Sequence, residues 1–105
     1  MHGERVAVGP DEPPRAVDDL TLIAAVVGGD REALVHLYDR HAAVLLALAV
    51  RMVGDRARAE ELVHDVFVAA WHQGRDFDPA LGTVRTWLVG HTRALAPCRR
   101  PGAVP

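Results

Sequence analysis

Six histidines, one cysteine and no serine bound the chemistry open to this chain of 105 residues. A zinc hydrolase needs two histidines four residues apart on one helix face, with a glutamate beside them as general base. His36 and His41 are five apart and His64 and His72 eight apart, so neither pair has that spacing. No serine is present to serve as a nucleophile, and Cys98 lies in the breaker-rich stretch PCRRPGAVP, where nothing holds a base against it. A single cysteine also rules out an intramolecular disulfide and a cysteine-built zinc site. The reading is therefore no enzyme, no metal and no cofactor.

What remains are residues that bind. Glu61, His64 and Asp65, with Arg58 and His72, fall on the polar faces of one helical stretch. Carboxylates on a rigid helix can meet the arginines of a partner through charge-assisted hydrogen bonds, although any solvated helix presents a similar face. Charge is also uneven along the chain. From Arg75 onward five arginines stand against Asp76 and Asp78, a balance of +3, whereas residues 1–74 carry −5. The overall −2 argues against a protein dominated by nucleic-acid binding, so only the C-terminal third can attract phosphate.

These groups need helices to hold them. Apolar residues recur at helical spacing in four segments, and none alternates with strand period. The expected fold is all-α, a compact bundle of about four helices. The first runs from Asp18 or Asp19 to Val27, with Leu20, Ile23, Ala24 and Val27 on one face and Gly28-Gly29 as its stop. Asp30 caps the second, about Arg31 to Val53, whose Leu34, Leu37, Tyr38, Leu45, Leu48 and Met52 form its core face. Its middle, AAVLLALAV, is apolar nearly all round, which predicts cover on several sides. The third lies between Asp55 and Gly74, buries Leu62, Val66, Phe67, Ala70 and Trp71, and ends with Gly74 left-handed. Pro79 and Gly82 mark a loop, and Thr83 caps a fourth helix that presents Val84, Trp87, Leu88 and Leu95 before Pro97 stops it.

The N-terminal MHGERVAVGPDEPPR has no apolar signal core and is rich in Pro, Gly and charge, so residues 1–17 read as a disordered leader and residues 97–105 as a disordered tail around one domain, 18–96. The longest apolar run, Ala42 to Val50, is far short of the twenty or so residues that span a bilayer. A soluble protein of the cytoplasm is expected.

Three local patterns in order carry a resemblance. VGGDREALVHLYDRH is followed by AEELVHDVFVAAW, and then by Phe77, Asp78, Pro79, Gly82, Thr83, Arg85, Trp87 and Leu88, a set of the form FDP-x-x-G-[ST]-x-[RK]-x-WL. Over about Leu20 to Arg93 the chain resembles region 2 of the sigma-70 family of bacterial transcription initiation factors, in its extracytoplasmic-function (ECF) branch. That resemblance implies a helix docking on a coiled coil of the largest subunit of RNA polymerase, with Glu61, His64 and Asp65 as contacts and Leu62 beside them. It also implies capture of the non-template single strand of the promoter minus-10 element. For that role the candidates are the loop with Arg75, Phe77 and Asp78, followed by Arg85, Trp87, Arg93, Arg99 and Arg100. Trp87 shares a helical face with Val84, Leu88 and Leu95, which favours a core role over a base-stacking platform; Phe77 likewise reads more as a loop anchor than as a base contact. An anti-sigma partner is common in the family.

The chain departs from the family pattern beyond Trp87. Ala94 stands where Asn is common, Gly90 weakens the helix by about 1 kcal/mol relative to Ala, and Pro97 falls where the helix should proceed. The second helical domain, which reads the minus-35 element in ECF proteins, is not found after Pro97. The alternative reading is a truncated module that binds polymerase without promoter recognition, as a competitor or a remnant.

Overall fold

Among the described residues, three aspartates and a threonine start the helices, each by accepting a hydrogen bond from a backbone N–H that the first turn leaves orphaned. Asp18 takes the Thr21 amide at 2.9 Å and opens α1, Asp19–Val27. That bond, with help from the Thr21 hydroxyl, holds the Asp18 carboxyl below its ordinary value. Asp30 takes the amides of Glu32 and Ala33 at the head of α2, Arg31–Val53. Asp55 takes the amide of Ala57 at the head of α3, Arg56–Gln73. Thr83 and Thr86 cap each other reciprocally at the head of α4, Val84–Leu95. Between α3 and α4 lie two short 3-10 turns, Gly74–Asp76 and Pro79–Leu81. The computed structural model describes residues 17–97, and among them there is no strand. The expected leader, apart from Val17, and the tail from Cys98 onward, with Arg99 and Arg100, lie outside the described residues.

The all-α expectation and the helix bounds hold, but the buried faces fall elsewhere. On α2 the buried stripe is Ala33, Leu37, His41, Leu45, Ala49 and Val53, a strict four-residue repeat. Leu34, Leu48 and Met52 are only half-buried, and Tyr38 is exposed. The helix is apolar almost all round, so periodicity could not fix its phase; the small residues Ala33 and Ala49 turn inward, where α1, α3 and α4 approach. Its middle is covered in part: α1, α3 and α4 pack on the helix, while Ala43, Val44 and Ala47 face outward. On α1 the core residues are Leu22, Ile23 and Val26, whereas Leu20 and Val27 are exposed. On α4, Val84, Leu88 and Thr92 turn inward and Leu95 outward.

Gly74 is a further correction. Its φ of −56° is right-handed, so the chain runs from α3 straight into a 3-10 turn. Glycine suits the position because a Cβ there would stand 3.1 Å from a Val27 methyl, where α1 crosses the turn.

At 23 residues α2 is long and apolar enough to cross a membrane. Its place is nonetheless that of a central core helix, packed on α1, α3 and α4.

Two polar side chains are buried in that core among the described residues, His41 and Thr92, the latter donating from its hydroxyl to the Leu88 carbonyl at 2.9 Å. His41 is 5% exposed in the middle of the α2 stripe. Its Nε2 is 2.7 Å from Oδ2 of Asp19 on α1, and its Nδ1 is 3.1 Å from Nε of Arg85 on α4. Oδ1 of Asp19 accepts from Nη1 of Arg40 at 2.8 Å, and Arg40 also donates to the Val17 carbonyl. A buried histidine with both ring nitrogens engaged pays no desolvation penalty for unpaired polar atoms, and it joins three helices at one point.

Candidate binding surfaces

The outward side of α3 is set by the burial of the other side. Ala59, Leu62, Val63, Val66, Phe67 and Ala70 are buried, which leaves Arg58, Glu61, His64, Asp65 and His72 in solvent. Glu61 has no ion-pair partner among the described residues, and Asp65 has only a loose 3.7 Å approach to His64 Nδ1, both side chains being well exposed. Arg56 and Glu60, one turn earlier, hold each other at 3.0 Å. The Glu61 and Asp65 carboxylates are thus free to accept from outside. Leu62, named with them from the sequence, is buried in the core beneath and also lines the groove beside them. Beside Glu61 and Asp65 a shallow groove runs to the end of α4, where Leu95 and Pro97 close it.

A second groove, unforeseen in the sequence, lies between α2 and α3. It encloses about 480 Å³, with Leu34, Val35, Tyr38, Phe67, Val68 and Trp71 as its apolar lining and Arg31, His64 and His72 completing it. Tyr38 and Phe67 meet at 5.0 Å between ring centroids. Leu34, Tyr38 and Trp71, assigned to the core by their spacing, are therefore groove residues. The available signal was numerical: α2 carries more large apolar side chains than one buried stripe can use.

The loop and the start of α4 form a third surface. Asp78 accepts from the Ala80 amide at 2.9 Å and fixes the second 3-10 turn. Phe77 is half-buried and meets Trp87 edge-on at 5.6 Å, and Trp87 in turn meets His91 at 4.6 Å. Trp87 packs on the core while part of its ring stays accessible. Around Phe77 and Trp87 lies a cavity of about 230 Å³, whose lining includes Leu81, Gly82 and Thr86 together with Asp76 and Asp78. Leu81 stands at its edge, 85% exposed. Gly82 is required here: its φ is +149°, and a Cβ would fall 2.6 Å from the Thr86 hydroxyl that completes the cap of α4.

The arginines differ in their freedom. Arg75, Arg85 and Arg93 are all exposed. Arg85 donates from Nε to His41 and from Nη2 to the Arg40 carbonyl at 3.4 Å, so α2 already engages its guanidinium. Neither bond was visible from spacing, since 44 residues separate Arg85 from His41.

No group of three His, Cys, Asp or Glu side chains that could hold a metal occurs among the described residues. His36 Nδ1 is the one buried side-chain polar atom there without a hydrogen-bond partner.

Sequence comparison with known proteins gives the family. Residues 37–96 match Sigma-70 region 2. The ECF RNA polymerase sigma factor SigK of Mycobacterium ulcerans is 29% identical over 86 residues, covering 79% of this chain and 46% of that protein. SigL of Mycobacterium tuberculosis is 40% identical over 59 residues, covering 56% of this chain and 33% of its own. The RNA polymerase sigma factor CnrH of Cupriavidus metallidurans is 41% identical over 71 residues, covering 67% of this chain and 36% of its own. The chain spans less than half the length of these curated relatives. No solved structure matches it at a significant level.

Proposed function

Because this chain belongs to the sigma-70 region 2 family, in its ECF branch, we propose that it serves transcription initiation by docking on RNA polymerase core and holding the non-template strand of a promoter minus-10 element. Its work is binding; the polymerase makes the bonds.

The observation that carries the polymerase half is the juxtaposition on α3 of free carboxylates, Glu61 and Asp65, with the apolar α2–α3 groove next to His64. A helical partner such as the coiled coil of the largest subunit can seat apolar side chains in such a groove and place arginines on the carboxylates. Apolar contact supplies affinity, and the fixed charges set the register.

The loop cavity supports the strand half. Extruding a base costs about a few kcal/mol, and stacking on an aromatic ring returns ~1–3 kcal/mol per base. Phe77 and Trp87 offer the aromatic walls, Thr86 with Asp76 and Asp78 the hydrogen-bonding groups, and Arg75 and Arg93 exposed cations for the backbone. The cytoplasm is the compartment such work requires.

A second reading has its own observation. α4 ends at Leu95, and Ala96 is already extended, so a module that holds polymerase without reading promoters, a competitor or a remnant, also fits. One experiment separates the two: binding to polymerase core, then fluorescence detection of a minus-10 non-template oligonucleotide with and without core. Asp65→Arg should weaken core binding by about tenfold or more, as a like-charge contact at an interface does. Loss of strand binding in Arg93→Ala supports the initiation factor, and an unchanged Arg93→Ala with intact core binding supports the competitor. Failure of the wild-type chain to bind core overturns both.

A further inference from the structure

We infer that His41 is a positioning residue that, as the neutral Nε2–H tautomer, latches the Arg85 guanidinium to α2, and that a proton on Nδ1 opens this latch and frees Arg85 for an anion. The tautomer follows from the partners. An arginine Nε–H can only donate, so the Nδ1 that it meets at 3.1 Å must be the bare acceptor, and the ring proton must sit on Nε2, aimed at Asp19 Oδ2 at 2.7 Å. A second proton has one place to go, and that place faces a cation. Protonation therefore exchanges a hydrogen bond for a like-charge contact on the α4 side, while on the α1 side it turns a hydrogen bond into an ion pair.

The groups that face the ring are few. α1 presents Asp19, with Asp18 next to it in the chain; α2 presents Arg40, which holds the other Asp19 oxygen; α4 presents Arg85. α3 turns only apolar side chains into the core, and its ionisable groups are all exposed. Opening the latch leaves the helix in place, because Val84 and Leu88 remain buried beneath Arg85. Only the guanidinium moves, away from the His41 ring and the Arg40 carbonyl. It lies one turn of α4 or less from Thr86 and Trp87 of the loop cavity.

The part of the inference that concerns nucleic acid rests on the strand-binding function proposed above; the latch itself does not. Two measurements on the whole chain keep them apart. Ring nitrogen NMR at about pH 8 should show His41 with a bare Nδ1 and a protonated Nε2. The Arg85 Nε–H should exchange about tenfold more slowly than that of exposed Arg75, and this ratio should fall towards one when the sample is acidified to about pH 5.5. In His41→Gln, whose amide can both donate to Asp19 and accept from Arg85, the ratio should not change with pH. A proton found on Nδ1 at about pH 8, or an Arg85 Nε–H no slower than that of Arg75, overturns the latch.

The second measurement is affinity for the minus-10 non-template oligonucleotide in complex with polymerase core at the same two pH values. The wild type should gain about threefold or more on acidification relative to both His41→Gln and Arg85→Ala. Equal gains in all three overturn the link between the latch and anion capture. Absence of strand binding at either pH instead refutes the strand-binding function and leaves the NMR result standing.

Discussion

Removing the Asp19 carboxylate, as in Asp19→Ala, should loosen the whole domain and not only the helix that carries it. Two charge-assisted bonds disappear, at 2.8 Å to Arg40 and 2.7 Å to His41. Such bonds contribute ~1.5–3 kcal/mol each when well buried. The Arg40 pair is 20% and 27% exposed, so solvent screening takes its share to the low end. The His41 ring is only 6% exposed and would keep a buried N–H without an acceptor, at ~1–3 kcal/mol. Together these give a loss of about 2–4 kcal/mol, a large part of the ~5–15 kcal/mol typical of a domain. For a domain of this size the melting temperature should fall by about 10–25 °C. Urea unfolding followed by tryptophan fluorescence, with Asp39→Ala as an exposed control expected within ~0.5 kcal/mol of wild type, measures it. Hydrogen exchange locates it. The nine residues of α1 are too few to stay helical alone, so their amides should lose protection together with the core. A midpoint that moves by less than ~0.5 kcal/mol, with the α1 amides still protected, would refute the claim that Asp19 holds α1 to the bundle.

Other outcomes follow from single positions. The Asp18 carboxyl has a folded value below its unfolded one, so its stabilising effect is complete above the ordinary carboxylate range and is lost as pH falls through it; Asp18→Asn, which still caps, should flatten that part of the stability-against-pH curve. Gly90→Ala should stabilise by ~0.5–1 kcal/mol in thermal melts, because Gly90 lies inside α4 and a Cβ there meets nothing within 4 Å. Gly82→Ala should destabilise by ~1 kcal/mol or more, since its φ is one that side chains avoid and the new methyl collides with the Thr86 hydroxyl. Leu88→Ala should cost ~2–5 kcal/mol in urea unfolding, as the side chain is fully buried.

The helices themselves were legible because their punctuation is chemical and local. Asp30, Asp55 and Thr83 each stand one residue before a helical period begins, and Gly54 ends α2 with a φ of +77°. The phase of α2 was hidden because a helix apolar on every side does not announce which side is inside, and the core chose Ala33 and Ala49 over Leu34 and Leu48. The exposed carboxylates of α3 could be read from the buried residues that alternate with them. His41 could not, since a polar residue in an apolar run gives no hint of partners 22 residues before it and 44 after it. The groove between α2 and α3 escaped for a related reason: sequence can count apolar residues but does not say which are left over once the core is full.

The reach of the Asp19–His41–Arg85 junction also bears on the order in which the chain assembles. α1 packs on α2, α2 on α3 and α3 on α4, all neighbours along the chain, so most of the bundle forms through short loops and should fold in the microsecond-to-millisecond range typical of low contact order. The junction closes only when the first and last of these helices have both arrived. Its bonds then belong to the end of the reaction, after the rate-limiting barrier. Substitutions at Asp19 or Arg85 should accordingly leave the refolding rate nearly unchanged and raise the unfolding rate, which would make this junction the element that governs how long the domain stays folded once it has formed.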